Sequence, residues 1–494
     1  MLKALSTDRW DYGAAAHLLN RVGFGGPPSV ITKLADAGPD EAVSALLDYE
    51  RIPDPTPDPV WAKPDPEGVR RLRDEARNAS QDERRKLYQE EMRVQLQRLM
   101  ELRGWWLNRM ANGPRPFQEK MVLFWHGHFA TSFEKVRNAY YMWRQNELFR
   151  RLATGNWQEL LAFAGKDPAM LIWLDQAESR RPHANENYAR ENMELFSLGI
   201  GNYTEKDVTE GARALTGWSL DRLNQQYVYR PFFHDNGVKT YLGQTGNFNG
   251  DDVIRIIVEQ PASARFITAK LWNYFAGQPP SDELNNALAA VFRENGNNFK
   301  PLLRVMFRSE EFYDPVIVRN QVKSPVQWLV GAARALECEL PPAIVCEGIT
   351  RRMGQDLFAP PNVKGWDGGI SWITTTTLLD RYNTAALLVQ GMDIPEARLE
   401  AMQQMSPMAV NQAQARGKRV HVGGVDVKKI LSPDELEDKD RVVAALQHRL
   451  LQSALKDDQA KALDDFLGKR SKLNDADIRA AIRLVMCTPE YQVT

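Results

Sequence analysis

Segments of helix-forming sequence follow one another along almost the whole chain. From Glu67 to about Asn112 the chain is rich in Arg, Glu, Gln and Leu, with opposite charges three or four residues apart, which predicts one or two long surface helices. Further helices are predicted at about 139–153, 157–174, 185–198, 251–258, 261–276, 281–293, 298–309, 322–337, 376–391, 436–453 and 474–487. This succession predicts a mainly α fold, a multi-helix globular array.

One stretch departs from the helical pattern. Residues 225–233 alternate weakly between polar and apolar side chains, and residues 238–243 form a second extended run. Between the two runs stands Asn236-Gly237, a dipeptide typical of two-residue hairpin turns. The sequence therefore predicts one small β-hairpin, with His234 and Asp235 at its tip.

The chain is too long for one ordinary core. Its 494 residues predict two packed helical subdomains. We expect N-terminal helices with a proline-rich strap and the long charged helix at 1–112, a central helical core with the hairpin and the candidate site at 113–320, and a C-terminal helical subdomain at 321–494. The polar, weakly periodic residues 405–434 predict a mobile insertion within the last part.

Charge, cysteines and the N-terminus exclude several classes of protein. With 63 basic and 64 acidic residues the net charge is -1, which gives no general attraction to nucleic acid or to anionic membranes. Three cysteines without a Cys-x-x-Cys spacing indicate neither a disulfide framework nor a thiolate zinc site. Residues 1–10 lack the apolar run of a secretory signal, and no stretch is apolar enough for a transmembrane segment. We expect a cytoplasmic protein, with periplasmic location or export with a partner as the alternative.

Two of the seven histidines lie within the sequence Phe-Trp-His-Gly-His-Phe at 124–129. Imidazoles between large aromatic side chains suit metal binding or proton transfer. Side chains two positions apart on a helix diverge by about 200°, so His126 and His128 share one target only if the helix ends between them. Gly127 predicts such an end, as a left-handed C-terminal cap. The alternative is two partly buried histidines that bond to the backbone.

A second polar group lies on the helix predicted at 185–198. Glu191 and Glu194 are three positions apart and Asn187 is four before Glu191, so one helix face carries an amide and two acids. Adjacent carboxylates raise each other's pKa unless a cation lies between them. Arg190 is a candidate for that cation, and a structural network of arginine and carboxylates is the alternative to a metal site.

Two loops supply further candidates. His234 and Asp235 offer one more imidazole and carboxylate, although Asp and Asn are also ordinary turn residues. Residues 360–369, which contain Trp366, predict either a lid or rim or a simple connector between helices. Among the isolated histidines we retain His183, just before the acidic helix, as an outside ligand candidate.

Several motifs, taken in order, resemble the bacterial domain-of-unknown-function family numbered 1800. They are Asn-Arg-Val-Gly-Phe-Gly at 20–25, Phe-Trp-His-Gly-His-Phe-Ala-Thr-Ser at 124–132, Asn-Glu-Asn-Tyr-Ala-Arg-Glu at 185–191, Leu-Thr-Gly-Trp at 215–218 and His-Asp-x-Gly-x-Lys-Thr at 234–240. The resemblance covers the chain from about residue 10 to its end. It implies a helical protein, often encoded beside an alkaline-phosphatase-like protein of the type numbered 1501 and frequently associated with export, but it supplies no reaction. Many members place His where this chain has Phe196, which argues against a ligand at that position.

The resemblance makes the histidine pair, the acidic helix and His234 family motif positions. Our hypothesis is one polar pocket that binds zinc or iron, as in a metal-dependent hydrolase or oxidoreductase. Its metal ligands would be His126, His128, His234 and Glu191, and its catalytic groups Glu191, Glu194, His234 and Asp235. One competing hypothesis is a non-enzymatic scaffold or partner of the phosphatase-like protein. Another is a cell-envelope or carbohydrate binding module that uses exposed tryptophans around Trp366.

Overall fold

A computed structural model of the protein describes residues 2–396, 399, 418–470 and 472–494. The predicted mainly α fold is confirmed. In chain order the first helices are α1 Tyr12–Val22, α2 Pro28–Ala37, α3 Pro39–Leu47, α4 Pro66–Asn78, α5 Gln81–Asn112, α6 Pro116–His128, α7 Phe133–Val136, α8 Ala139–Arg151, α9 Trp157–Gly165, α10 Pro168–Trp173, α11 Glu186–Glu191, α12 Glu205–Leu215 and α13 Gly250–Glu259. The helices that follow are α14 Pro261–Ala276, α15 Asp282–Glu294, α16 Phe299–Arg308, α17 Pro325–Ala335, α18 Ala343–Arg352, α19 Thr375–Gln390, α20 Val427–Ile430, α21 Pro433–Leu436, α22 Lys439–Leu450, α23 Asp457–Gly468, α24 Asp475–Met486 and α25 Pro489–Gln492.

Shorter helical turns complete the backbone. A π-helix, Asn192–Ser197, directly continues α11, so the helix predicted at 185–198 changes its type halfway. The 3₁₀ turns of the described residues are Thr7–Arg9, Tyr49–Arg51, Gln176–Glu178, Pro231–Phe233, Glu310–Tyr313 and Gly369–Trp372.

The strands form three separate antiparallel pairs within the described residues. They are β1 Trp218–Asp221 with β2 Gln226–Tyr229, β3 Lys239–Tyr241 with β4 Gln244–Gly246, and β5 Met392–Pro395 with β6 Arg419–Val422. The hairpin predicted around Asn236-Gly237 was therefore wrong in its pairing and its turn, because β2 and β3 lie within the two predicted extended runs but each pairs with another strand. The two-residue turn lies at Leu242-Gly243, where both residues have positive φ, as the hairpin turn of this length requires. Gly237 instead donates its N–H to the side chain of Asp235 (2.8 Å).

The prediction of one or two long helices between Glu67 and Asn112 is confirmed by α4 and α5. Ser80 and Glu83 form a reciprocal capping box that fixes the start of α5. The first half of α5 is largely exposed, whereas its second half buries Leu102, Trp106 and Met110 against neighbouring helices. The last turns of the charged helix thus belong to the core.

Helix α6, which carries the histidine pair, is buried along almost its whole length. Its contacts include α3, α5 and α8. Buried Glu119 accepts hydrogen bonds from Trp106 (2.9 Å), Arg109 (3.1 Å) and Arg150 (2.7 Å), so the charge of this carboxylate is fully paired. This packing leaves α6 little freedom to shift or to unwind at its end.

Arg21 of the Asn-Arg-Val-Gly-Phe-Gly motif joins distant parts of the chain. Its side chain has no exposed surface and donates to the carbonyl oxygens of Phe275 (2.8 Å), Ile317 (2.7 Å) and Thr494 (2.8 Å). A single guanidinium group therefore binds α1, α14 and the last residue together.

The predicted domain boundaries after residues 112 and 320 stay predictions, and α5 packs on both α17 and α18 across them. Of the predicted insertion at 405–434, residues 405–417 lie outside the described residues. The rest contains β6, α20 and part of α21. Among the helices described, none combines the length and apolarity needed to cross a bilayer.

Candidate functional site

The predicted helix end at Gly127 was wrong, because α6 continues to His128 and Phe129 is its C-terminal cap residue. Gly127 does not adopt positive φ, so it makes no left-handed cap. Phe124 and His128, four residues apart, stack with ring centroids 5.8 Å apart, and this contact favours one further helical turn. As a result His126 and His128 diverge and face different surroundings.

His126 lies in an aromatic pocket formed by other segments. Its ring centroid is 5.3 Å from that of Trp106, 5.1 Å from Phe358 and 5.6 Å from Trp366. Its Nε2 accepts the backbone N–H of Phe358 (3.0 Å), so the proton of the neutral ring lies on Nδ1. Burial, together with the nearby Arg103, lowers the pKa of His126 to about 3 and keeps the ring neutral.

His128 is also buried, but it carries its proton on the other nitrogen. Its Nε2 donates to the carbonyl oxygen of Phe196 (3.0 Å), and Lys270 Nζ approaches its Nδ1 at 3.4 Å. The ammonium group of Lys270 also donates to the carbonyl oxygen of Leu195 (2.8 Å). Burial and the neighbouring Lys270 hold the pKa of His128 well below its usual range. The two side chains thus bind consecutive carbonyl groups of the π-helix.

The ion pairs of the acidic helix differ from those predicted. Arg190 was expected between Glu191 and Glu194, but its guanidinium group binds Glu205 at 2.7 Å and lies 3.6 Å from Glu186. Glu194 accepts the hydroxyl group of Tyr203 (2.7 Å). The pKa of half-buried Glu191 is raised by burial and by the charge of Glu194.

His234 lies in a third environment, just after the turn Pro231–Phe233. Its Nδ1 donates to the carbonyl oxygen of Thr216 (2.8 Å), and the ring is buried. Asp235 forms an ion pair with Arg213 (2.8 Å), and this hydrogen-bonded partner lowers the pKa of Asp235 to about 2. His183 has an exposed side chain, and its carbonyl group accepts the N–H of Arg180 (3.3 Å).

The family model described as Protein of unknown function (DUF1800) matches residues 17–493, which include every predicted site residue. The chain belongs to the DUF1800 family. No curated protein and no solved structure matches it. Membership accounts for the order of the motifs, while the role of each side chain in this DUF1800 protein must come from its geometry.

That geometry does not supply a shared metal site. Zinc or iron in a protein is held by three or more side chains whose lone pairs converge. Over the residues described, no three His, Cys, Asp or Glu side chains of the DUF1800 protein form such a group. The nitrogen that His126 leaves unprotonated already accepts the N–H of Phe358. A bound metal stays a prediction, without a ligand set in this arrangement.

The loop 360–369 of the DUF1800 protein covers α6 at the histidine pair. Gly365 has φ of +87°, and a Cβ built on it would overlap the carbonyl oxygen of Gly127. The next residue, Trp366, packs half-buried against His126. The loop therefore serves as a rim that seals one side of α6, besides connecting α18 to α19.

Lys270 is the neighbour that the sequence interpretation missed. It lies on α14 at the edge of a groove of about 740 Å³, which Phe266 and Asn273 also line. Burial, together with the charge of Lys364, lowers the pKa of Lys270 to about 8. Neither spacing nor composition singles out Lys270, because it lies alone in an otherwise ordinary helix.

Proposed function

We propose that the protein is a non-enzymatic scaffold that binds a second protein, and that its histidines hold its own helices in place. One observation carries the proposal: each histidine assigned to the predicted site uses a ring nitrogen to bind a backbone group of another segment. His126 binds Phe358, His128 binds Phe196 and His234 binds Thr216. This favours the scaffold over a metal-dependent hydrolase or oxidoreductase.

His126 and His128 are poorly suited to act as general bases. A general base needs an accessible lone pair and a pKa near the working pH. The pKa of buried His126 is about 3, and its Nε2 lone pair is already used. The free nitrogen of His128 faces the ammonium group of Lys270. Removing either ring would instead leave a buried backbone group without its partner, at a cost of about 1–3 kcal/mol.

An exposed face close to His234 suits a protein partner. We define the Phe232 face by Phe232, Tyr229, Arg180, Arg181 and Arg230. Phe232 is 78% exposed and the guanidinium group of Arg181 lies 5.6 Å from its ring. None of the three arginines forms an ion pair with a carboxylate among the described residues. Free guanidinium groups around an exposed aromatic ring fit a partner surface that carries carboxylates beside an apolar depression.

The phosphatase-like protein implied by the family resemblance is the first partner to test. The untagged pair is expressed together, and its co-purification is compared between the wild type, Phe232→Ser and Arg181→Glu. Val60→Ser and Arg85→Glu are matched controls, since they make the same changes at exposed positions elsewhere. We expect both face variants to lose most of the captured partner and both controls to keep it.

Three results would count against the proposal. Equal capture by the face variants and their controls would reject the Phe232 face, and no capture by the wild type would reject this partner. Elemental analysis of the same tag-free protein addresses the enzyme hypothesis. Stoichiometric zinc or iron that disappears in His128→Gln would replace the scaffold with a metal-dependent enzyme. The carbohydrate-binding alternative receives no support from Trp366, whose ring packs against His126.

A further inference from the structure

A second cavity is lined by residues that are distant in sequence from the histidine pair. It lies between helix α1 and residues 493–494. Its volume is about 290 Å³. Ala14, Leu451 and Val493 contribute apolar wall, while Arg319 and Lys323 bring positive charge. Neither Arg319 nor Lys323 belongs to the motifs that identified the family, and the proposed scaffold role makes no use of these two residues.

Lys323 is held by its backbone, and its side chain lacks a polar partner. Its N–H donates to Gln492 (2.9 Å) and its carbonyl oxygen accepts from Arg381 (2.8 Å). Its Nζ lies 3.8 Å from the centroid of the Tyr491 ring and makes no hydrogen bond or ion pair with any described residue. Burial, with the charges of Arg319 and Arg381, lowers the pKa of Lys323 to about 7. A cation in this position is stabilised by an anion that enters the cavity.

Arg319 is fixed at the wall by an unusual backbone conformation. Its φ is +63°, in the left-handed region, where a residue other than glycine is strained by about 1 kcal/mol. Its guanidinium group donates to the carbonyl oxygens of Leu451 (3.1 Å) and Glu490 (2.9 Å). These two bonds use two of its five N–H donors, and the others remain for a ligand.

Three other polar side chains that line the cavity, Arg9, Asp11 and His17, are engaged or neutral. Arg9 pairs with Glu310 (3.6 Å), and Asp11 accepts the N–H of Ala14 (2.8 Å) as the cap of α1. His17 contacts the carbonyl oxygen of Phe312 (3.0 Å), and burial lowers its pKa to about 3. Within the described residues, Lys323 and Arg319 are therefore the lining cations without a carboxylate within ion-pair distance.

We propose that this cavity binds a small monocarboxylate with a compact apolar body. The carboxylate group lies between Lys323 and Arg319, and the apolar body contacts Ala14 and Leu451. A planar guanidinium group beside an ammonium group favours a carboxylate, and the apolar wall excludes a purely ionic ligand. A cavity of about 290 Å³ holds a ligand on the order of ten non-hydrogen atoms.

Calorimetric titration of the full chain tests this site. The probes are hexanoate and benzoate, their uncharged amides, and inorganic phosphate. We expect a carboxylate to bind at least about tenfold more tightly than its amide, because the amide loses the charge-assisted hydrogen bonds. Lys323→Met, which keeps most of the aliphatic stem over Tyr491, should weaken carboxylate binding by about tenfold or more, whereas exposed Lys428→Met should leave it unchanged.

A second variant tests the apolar part of the cavity independently of its charged side chains. Ala14→Phe leaves Lys323 and Arg319 intact but fills the apolar part, so it should also abolish binding, with the melting temperature confirming a folded protein. Absence of carboxylate binding to the wild type, equal binding of acid and amide, or undiminished binding to folded Lys323→Met would each overturn the proposal. Binding of inorganic phosphate alone would overturn the assigned ligand class.

Discussion

The Nε2 atom of His128 donates to the carbonyl oxygen of Phe196 across 3.0 Å, while Lys270 donates to the adjacent carbonyl of Leu195. Both acceptors belong to the π-helix Asn192–Ser197. A π-helix is rare and occurs mostly as a single turn within an α-helix, so we expect it to persist where other contacts support it. We infer that the histidine and the lysine supply that support. The irregular turn and the buried ring therefore depend on each other.

We first predict that His128→Ala lowers stability by roughly 2–4 kcal/mol, because it removes a buried ring and leaves the Phe196 carbonyl without its donor. The expected readout is a lower melting temperature by differential scanning calorimetry. His183→Ala is the matched control, since that ring is exposed, and it should melt like the wild type. Equal melting temperatures for the two variants would contradict the structural role of His128.

A second prediction concerns acid. Because burial lowers the pKa of His126 from 6.5 to about 3, the unfolded chain takes up a proton at this site over that range while the folded protein does not. Proton uptake by the unfolded state alone lowers the free energy of unfolding. Stability contributed here is therefore complete above pH 6.5 and is lost progressively as the pH falls towards 3.

Melting temperature measured from pH 7 to pH 4.5 checks the sign. His126→Gln should melt lower at pH 7 but should lose less stability on acidification than the wild type, since glutamine does not titrate. Parallel curves for the two proteins would show that His126 does not contribute to the acid sensitivity.

The contact between Gly365 and Gly127 gives a third prediction. Gly365→Ala should destabilise the protein strongly, because the new Cβ overlaps the Gly127 carbonyl and the φ of +87° is strained. Gly127→Ala meets nothing within 4 Å and lies inside a helix, so it should be neutral or stabilising by up to about 1 kcal/mol.

The variant Gly369→Ala measures backbone strain without the steric overlap that is expected at Gly365. Gly369 also has positive φ, at +58°, but a Cβ there meets nothing within 4 Å. Its variant should therefore lose only the strain energy, about 1 kcal/mol. If chemical denaturation gives Gly365→Ala the same loss as Gly369→Ala, the close approach of the loop to α6 is not as described.

The fourth prediction tests the buried charge of α6. Glu119→Gln keeps the shape of the side chain but removes the anion shared by Arg109 and Arg150, and should cost about 3–5 kcal/mol. Glu90→Gln breaks the exposed pair with Arg93 and should cost no more than about 1 kcal/mol. A similar small shift in both variants would contradict the pairing inside the core.

Local sequence signals located many of the helices, although α12, α18 and α23 were not predicted, and they did not give the pairing of the hairpins. The capping box at Ser80 and Glu83, which fixes the start of α5, is a signal that acts within one turn. Asn236-Gly237 is an equally good local signal, yet the turn forms at Leu242-Gly243. The side chain of Asp235 accepts hydrogen bonds from Gly237 and Arg213, which hold Gly237 in another loop, and Arg213 lies on the separate helix α12. Such tertiary contacts cannot be derived from a turn motif.

The candidate site differs from its predicted arrangement. The sequence interpretation selected His126, His128 and His234, and all three rings are buried, while their role in a functional site stays a prediction. Their targets, the backbone groups of Phe358, Phe196 and Thr216, have no side-chain signature that a sequence reader can detect. The C-terminal cap expected at Gly127 is absent, because the stacking of Phe124 on His128 favours a helix that continues to His128.

The contact of Arg21 with Thr494 limits when this chain can complete its folding. Its hydrogen bond to the carbonyl oxygen of Thr494 spans 473 positions. A ribosome that adds about 5–20 residues per second needs tens of seconds to cover that distance. Helix α1 is synthesised well before Thr494, so its guanidinium group lacks this acceptor in the meantime. The N-terminal helix therefore stays incompletely anchored during synthesis, and the closing contacts of the core form only after translation of residue 494.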